Sequence, residues 1–200
     1  MDNTVLKILD ELNENVKRVD SSVLDKISNL ICETKRIYTY GCGRSGFEMM
    51  AFGMRIMHLG KESYYVHDTC VPPIKEDDLL IVASGSGNTE STIAIVNRAI
   101  QNKAKVVLIS GNKNSKIGNL SDLVLEIPLS GFETIQAQGN CYDQTMFICL
   151  DIIIYKCMKN LGLTEEDMDR NHTNIEYGGW IKCFINLNQF TKKEFGVGKS

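Results

Sequence analysis

Two hundred residues, 43% hydrophobic and 24% charged, suffice for one well-buried core and sit in the upper part of the usual single-domain range. A net charge of −3, with no long Lys/Arg block, gives no field that would follow a phosphate backbone, which argues against nucleic acid and anionic membrane surfaces as partners. Seven cysteines, at 32, 42, 70, 141, 149, 157 and 183, are scattered with no C-x-x-C pair and no His at ligand spacing, so they point to core packing in a reducing, cytoplasmic setting and away from a metal site.

The chain opens with Val5, Ile8, Leu9, Leu12 and Val16 among acids, a pattern that predicts a retained helix and no signal peptide. Ser21 or Ser22 is placed to cap a second helix running through Leu24, Ile27, Leu30 and Ile31. Then the period changes. Short β-rich stretches at 36–40, 63–66, 79–83, 105–110 and 122–128 alternate with helical patterns at 45–59 and 89–101. Barely alternating strands joined by crossover helices predict a mainly parallel α/β sandwich covered on both faces. A broad apolar face from Tyr142 to Leu161 predicts a long helix, and Asp151 and Lys156 interrupt it before it reaches the length of a membrane span. Thr164, followed by acids, opens a further helix. No linker divides residues 1–176, which read as one domain. The tail 177–200 is less legible, its aromatics Tyr177, Trp180, Phe184, Phe190 and Phe195 being candidates to dock on the body.

Two loops carry the chemistry. The stretch YTYGCGRSGF places Gly41, Gly43 and Gly46 in a G-x-G-x-x-G spacing after a strand, with Asp68 about 20 residues on, as in dinucleotide-binding folds. After the strand LLIVA comes SGSGNTEST, where Ser84, Ser86, Thr89, Ser91 and Thr92 interleave with Gly85 and Gly87 at a helix start. Many short donors with little bulk suit a phosphate monoester, and more hydroxyls stand there than capping alone requires. Neither loop reads G-K-[ST], so a nucleotide-hydrolysing P-loop is not expected.

Together the loops resemble the SIS (sugar isomerase) domain family, and within it the 6-phospho-3-hexuloisomerases. The likeness is carried by GCGRSGFEMMAFGMRIMHLG, PPIKEDDLLIVASGSGNTES, KVVLISGN, YDQTMFICLD and MDRNHTNIE. The resemblance implies an α/β three-layer sandwich with a five-stranded, mainly parallel sheet, N-terminal helices and a long C-terminal helix. It also implies a homo-oligomer, dimer or tetramer, with sites near subunit interfaces and no metal or organic cofactor. The implied reaction converts a 3-ketohexose 6-phosphate to fructose 6-phosphate, as in the ribulose monophosphate route. Carried over by position, Ser45, Ser84, Ser86 and Thr89 hold the phosphate, Gly43, Gly87 and Asn88 complete the loops, and Arg44 contacts the sugar or a neighbouring residue.

Moving a carbonyl by one carbon needs a base and donors that hold an enediolate. Asp143 stands where relatives carry a Glu, one methylene longer. His172, in NHTN, stands where relatives read R-H-A-N. These two are the candidate catalytic residues, and each has a structural alternative as a helix-dipole partner. In HDTCVPPI, Asp68 and Thr69 become candidate pocket residues. Two rival readings stay open: a silent SIS module that senses a sugar phosphate, and a dinucleotide oxidoreductase.

Overall fold

The computed structural model describes residues 3–128, 134–137 and 139–175. Two helices lead, α1 (Asn3–Lys17) and α2 (Ser21–Glu33). The cap of α2 sits one residue earlier than the serines suggested: the Asp20 side chain accepts the Ser22 N–H at 2.9 Å, and both serines lie inside the first turn. A carboxylate here gains from the helix dipole as well as from the hydrogen bond.

The body then runs β1 (Arg36–Gly41), α3 (Gly43–His58), β2 (Glu62–Tyr65), β3 (Leu79–Ala83), α4 (Glu90–Gln101), β4 (Lys105–Ser110), β5 (Leu123–Glu126), α5 (Asn140–Leu161) and α6 (Glu165–Arg170). All five expected strands and the crossover helices are present, with ends shifted by a few residues. The strands form one parallel sheet in the order β2-β1-β3-β4-β5, with Tyr38 beside Tyr64, Thr39 beside Ile81 and Leu80 beside Val106.

Both faces are covered, so the central strands β1, β3 and β4 are buried almost along their whole length and mostly apolar, while the edge strands β2 and β5 are only partly buried. Ile37, Leu79, Ile81, Val107 and Ile109 pack under α2, α3 and α5, against Ile31, Phe52, Ile56, Met146 and Ile153. The alternate residues Tyr38, Tyr40, Leu80, Val82 and Leu108 pack under α4, against Val96 and Ala99. This is the expected three-layer α/β sandwich, with α1 laid against α5. Gly162 in a left-handed conformation (φ +67°) ends α5, and a Thr164/Asp167 capping box opens α6. Among the described residues no helix is long and apolar enough to cross a membrane. The five tail aromatics lie outside the described residues.

The strand order positions the site. After β1 the chain turns to β2 on one side, and after β3 to β4 on the other. A crevice therefore opens between the carboxyl ends of β1 and β3, where doubly wound sheets bind ligands.

Candidate active site

Each side of the crevice is a loop feeding a helix. On the β1 side, Gly41 ends the strand and Cys42 is the N-cap of α3. The chain doubles back so tightly that a Cβ on Gly46 would lie 2.7 Å from the Gly41 carbonyl oxygen, which also accepts the Tyr65 hydroxyl at 2.9 Å. On the β3 side, Thr89 is the N-cap of α4. Neither Cys42 nor Thr89 makes a side-chain cap hydrogen bond to its own helix. The first-turn amides of both helices thus keep their donors for an anion in the crevice.

The hydroxyls of the second loop divide their labour. Ser84 is buried, and its Oγ accepts the Gly87 N–H at 3.1 Å and meets the Thr89 hydroxyl at 2.9 Å, so it braces the loop from inside. Ser86 and Asn88 are exposed on the rim, where the Ser86 Oγ accepts the Asn88 N–H at 3.2 Å and the Asn88 Oδ1 accepts the Lys116 N–H at 3.1 Å. Gly87 has φ +65°, and a Cβ there would lie 2.0 Å from the Ser115 Oγ, so the turn excludes any side chain.

A charged cluster sits at the mouth of α3 where it meets α5. Asp143, buried on α5, accepts the Ser45 hydroxyl on Oδ1 at 2.9 Å and faces Arg44 Nε through Oδ2 at 3.5 Å. Arg44 also donates to the Asn140 side chain. One turn along α3, Glu48 Oε1 lies 3.9 Å from the same Arg44 Nε, while Glu48 Oε2 is buried with no hydrogen-bond partner. Burial, with the charge of Asp143 behind it, pushes the Glu48 carboxyl up to about 7 against the opposing pull of Arg44. Beneath the acids the buried Tyr142 donates its hydroxyl to the Ile109 carbonyl at 2.9 Å, and burial holds that phenol above its ordinary value.

Cys42 faces the crevice. Burial raises its thiol, but hydrogen bonds from Ser91 (3.1 Å), Tyr40 (3.2 Å) and Thr92 outweigh this and hold it below the ordinary thiol value.

The structure therefore brings Gly43, Arg44, Ser45, Ser84, Ser86, Gly87, Asn88, Thr89 and Asp143 to one crevice. Asp68 and Thr69 follow β2 as exposed residues. The intervening neighbour His67 stacks edge-on to Tyr40 at 4.9 Å between ring centroids. His172 is not brought to the crevice within one subunit. Its ring lies 4.8 Å from that of His58 at the far end of α3, a helix of sixteen residues and so about 24 Å long. There it lines a cleft of about 810 Å³ with Arg55, His58, Asp151, Tyr155 and Asp169. The physical reason is the short α6, which ends at Arg170 and carries NHTN back over the C-terminus of α3, where the Asn171 side chain donates to the His58 carbonyl at 2.9 Å.

Sequence reasoning missed Glu48, Cys42 and Asn140. The one legible signal was the i,i+4 spacing of Arg44 and Glu48.

The SIS domain model matches residues 30–148, from the end of α2 into α5, a span that holds both loops, Glu48 and Asp143. The chain belongs to the SIS domain family. Among its relatives is the 3-hexulose-6-phosphate isomerase of Bacillus subtilis, 34% identical over 86% of this chain and 97% of that protein. The 3-hexulose-6-phosphate isomerase of Methanocaldococcus jannaschii is 36% identical over 76% and 83% of the two chains. A crystal structure from Methanococcus jannaschii, for which a molecular function of 3-hexulose-6-phosphate isomerase was inferred, superposes with a TM-score of 0.76 at 31% identity, over 84% of this chain and 98% of the other.

Proposed function

We propose that this SIS domain is a 3-hexulose-6-phosphate isomerase, interconverting 3-hexulose 6-phosphate and fructose 6-phosphate through a 2,3-enediolate. The observation that carries the reading is the pairing of an anion crevice, formed by two uncapped helix N-termini and the hydroxyls of Ser86 and Thr89, with a carboxylate–arginine cluster at Arg44, Glu48 and Asp143. The crevice receives one phosphate. The cluster receives the carbons that exchange a carbonyl, with Arg44 facing the developing oxyanion. Such a reaction is redox-neutral within one molecule, so the mechanism calls for neither nicotinamide nor metal.

His172 joins this mechanism only across a subunit boundary. A strip of exposed apolar side chains runs along α3 from the crevice toward His58, at Phe47 (73% exposed), Met50, Met54 and Met57, and α5 adds Phe147 and Tyr155. We assign this strip to contacts in a dimer or tetramer, in which His172 of one subunit approaches the crevice of another. The unpaired thiols of the buried Cys149 and Cys157 suit the cytoplasm. Residues 1–176 form the domain on this reading.

The test is a thermal-shift panel on the full chain. Fructose 6-phosphate stabilises the protein, while NAD and NADP do not. Replacing Thr89 by Val and Ser86 by Ala together abolishes the stabilisation. Stabilisation by NAD alone refutes the reading.

A further inference from the structure

Two carboxylates share the cluster, and they are not equivalent. Asp143 has both oxygens committed, one to the Ser45 hydroxyl at 2.9 Å and one facing Arg44 at 3.5 Å. Withdrawing it from those contacts would release Ser45 in the first turn of α3 and uncover the guanidinium. Glu48 is held loosely on one side, at 3.9 Å from Arg44, and its other oxygen is buried with nothing to accept from. An orphaned buried acceptor is rare enough in folded proteins to require a reason. It sits on the second turn of α3, three residues in from Ser45, on the face that meets α5.

We infer that Glu48, not Asp143, carries the proton between the two sugar carbons, and that Asp143 is a positioning residue that fixes Arg44 and Ser45. The inference rests on the isomerase reading above. In the direction of fructose 6-phosphate formation, the Glu48 carboxylate takes the proton from C2. The C–H electron pair becomes the C2=C3 double bond, and the carbonyl pair of C3 moves onto its oxygen, facing Arg44. The hydroxyl proton on O2 passes to O3, the O2 electron pair reforms a carbonyl at C2, and the Glu48 carboxyl returns its proton to C3. Every atom and electron is accounted for within the substrate and one carboxyl group.

The surroundings suit that cycle. The charges acting on Glu48 are those of Asp143 on α5 and Arg44 on its own helix, and the Tyr142 phenol lies near both acids. Burial and Asp143 raise the Glu48 carboxyl to about 7, so near neutrality it both accepts and returns a proton readily. A committed acid with two partners does neither without first breaking them.

The test follows exchange of the C3 proton of fructose 6-phosphate in deuterated water, with kcat and KM measured from pH 5.5 to 9 for the full-length wild type, Glu48→Gln, Glu48→Asp and Asp143→Asn. In the wild type kcat rises with pH through a limb near 7, as the base ionises. Glu48→Gln lowers kcat by about 100-fold or more with KM within about threefold, the range expected for loss of a general base, and the limb disappears. Glu48→Asp keeps the limb at a lower rate. Asp143→Asn keeps a limb, moved to lower pH because the charge that helps raise Glu48 is gone, and lowers kcat less than Glu48→Gln does. Stabilisation of Glu48→Gln by fructose 6-phosphate shows that it folds and binds. An unchanged limb and kcat in Glu48→Gln, or loss of the limb in Asp143→Asn alone, overturns the assignment while the isomerase reading stands. A wild type that binds fructose 6-phosphate without exchanging C3 overturns the isomerase reading itself, and the role of Glu48 with it.

Discussion

Glu48→Gln makes a prediction about stability that is independent of catalysis. A carboxyl whose value rises from 4.5 to about 7 on folding binds more protons in the folded than in the unfolded state across that window. Stability is then full below 4.5 and falls as pH rises through 7, because ionising the acid in its buried place costs more than ionising it in the unfolded chain. At 1.36 kcal/mol per pH unit the penalty at pH 8 approaches about 3 kcal/mol, which for a chain of this size corresponds to roughly 6–12 °C in Tm. The neutral amide has no such penalty. Urea unfolding of wild type and Glu48→Gln at one protein concentration therefore gives equal stabilities at pH 4.5 and a variant more stable by up to about 3 kcal/mol at pH 8. A variant that is no more stable at pH 8, or a difference that does not change with pH, refutes the claim that Glu48 is a buried, poorly compensated acid.

The same geometry sets four further outcomes. Gly87→Ala forces a side chain into a left-handed turn against Ser115, so stabilisation by fructose 6-phosphate is lost, and adding Ser115→Gly restores part of it; retained stabilisation in the single variant would show that the second loop is not the phosphate site. Iodoacetamide alkylates Cys42 with a pH midpoint below the ordinary thiol value, inorganic phosphate slows it, and mass spectrometry reads both. Phe47→Asp combined with Met54→Lys lowers the mass measured by light scattering, and an unchanged mass removes α3 from the interface. Mixed oligomers of His172→Ala and Glu48→Gln subunits are more active than either variant alone, since one crevice in the mixture then has both groups; no gain excludes His172 from a neighbour's crevice.

Sequence period was enough to find the strands, because residues covered on both faces leave no polar alternation. It also placed the two loops, since β1 and β3 feed them directly and the parallel order then sets them side by side. The cap of α2 was misread by one residue because Asp20, Ser21 and Ser22 are all good caps, and only the local backbone decides among them. Glu48 was illegible for a different reason. Its role depends on which face of α3 meets α5, a tertiary fact, and an i,i+4 pair with Arg44 is the ordinary pattern of a solvated helix. His172 shows the reverse case: its motif was legible, but the turn after α6 that carries it to His58 was not, and position within one subunit cannot be read from a motif.

The central claim is that a sugar phosphate held at the two loops exchanges the proton on the carbon next to its carbonyl, on the phosphate side. Proton NMR of fructose 6-phosphate with the wild-type chain in deuterated water measures this directly. The expected result is loss of the C3 proton signal together with the appearance of a second ketohexose phosphate. Exchange at C1, or none in a protein that fructose 6-phosphate stabilises, contradicts the claim.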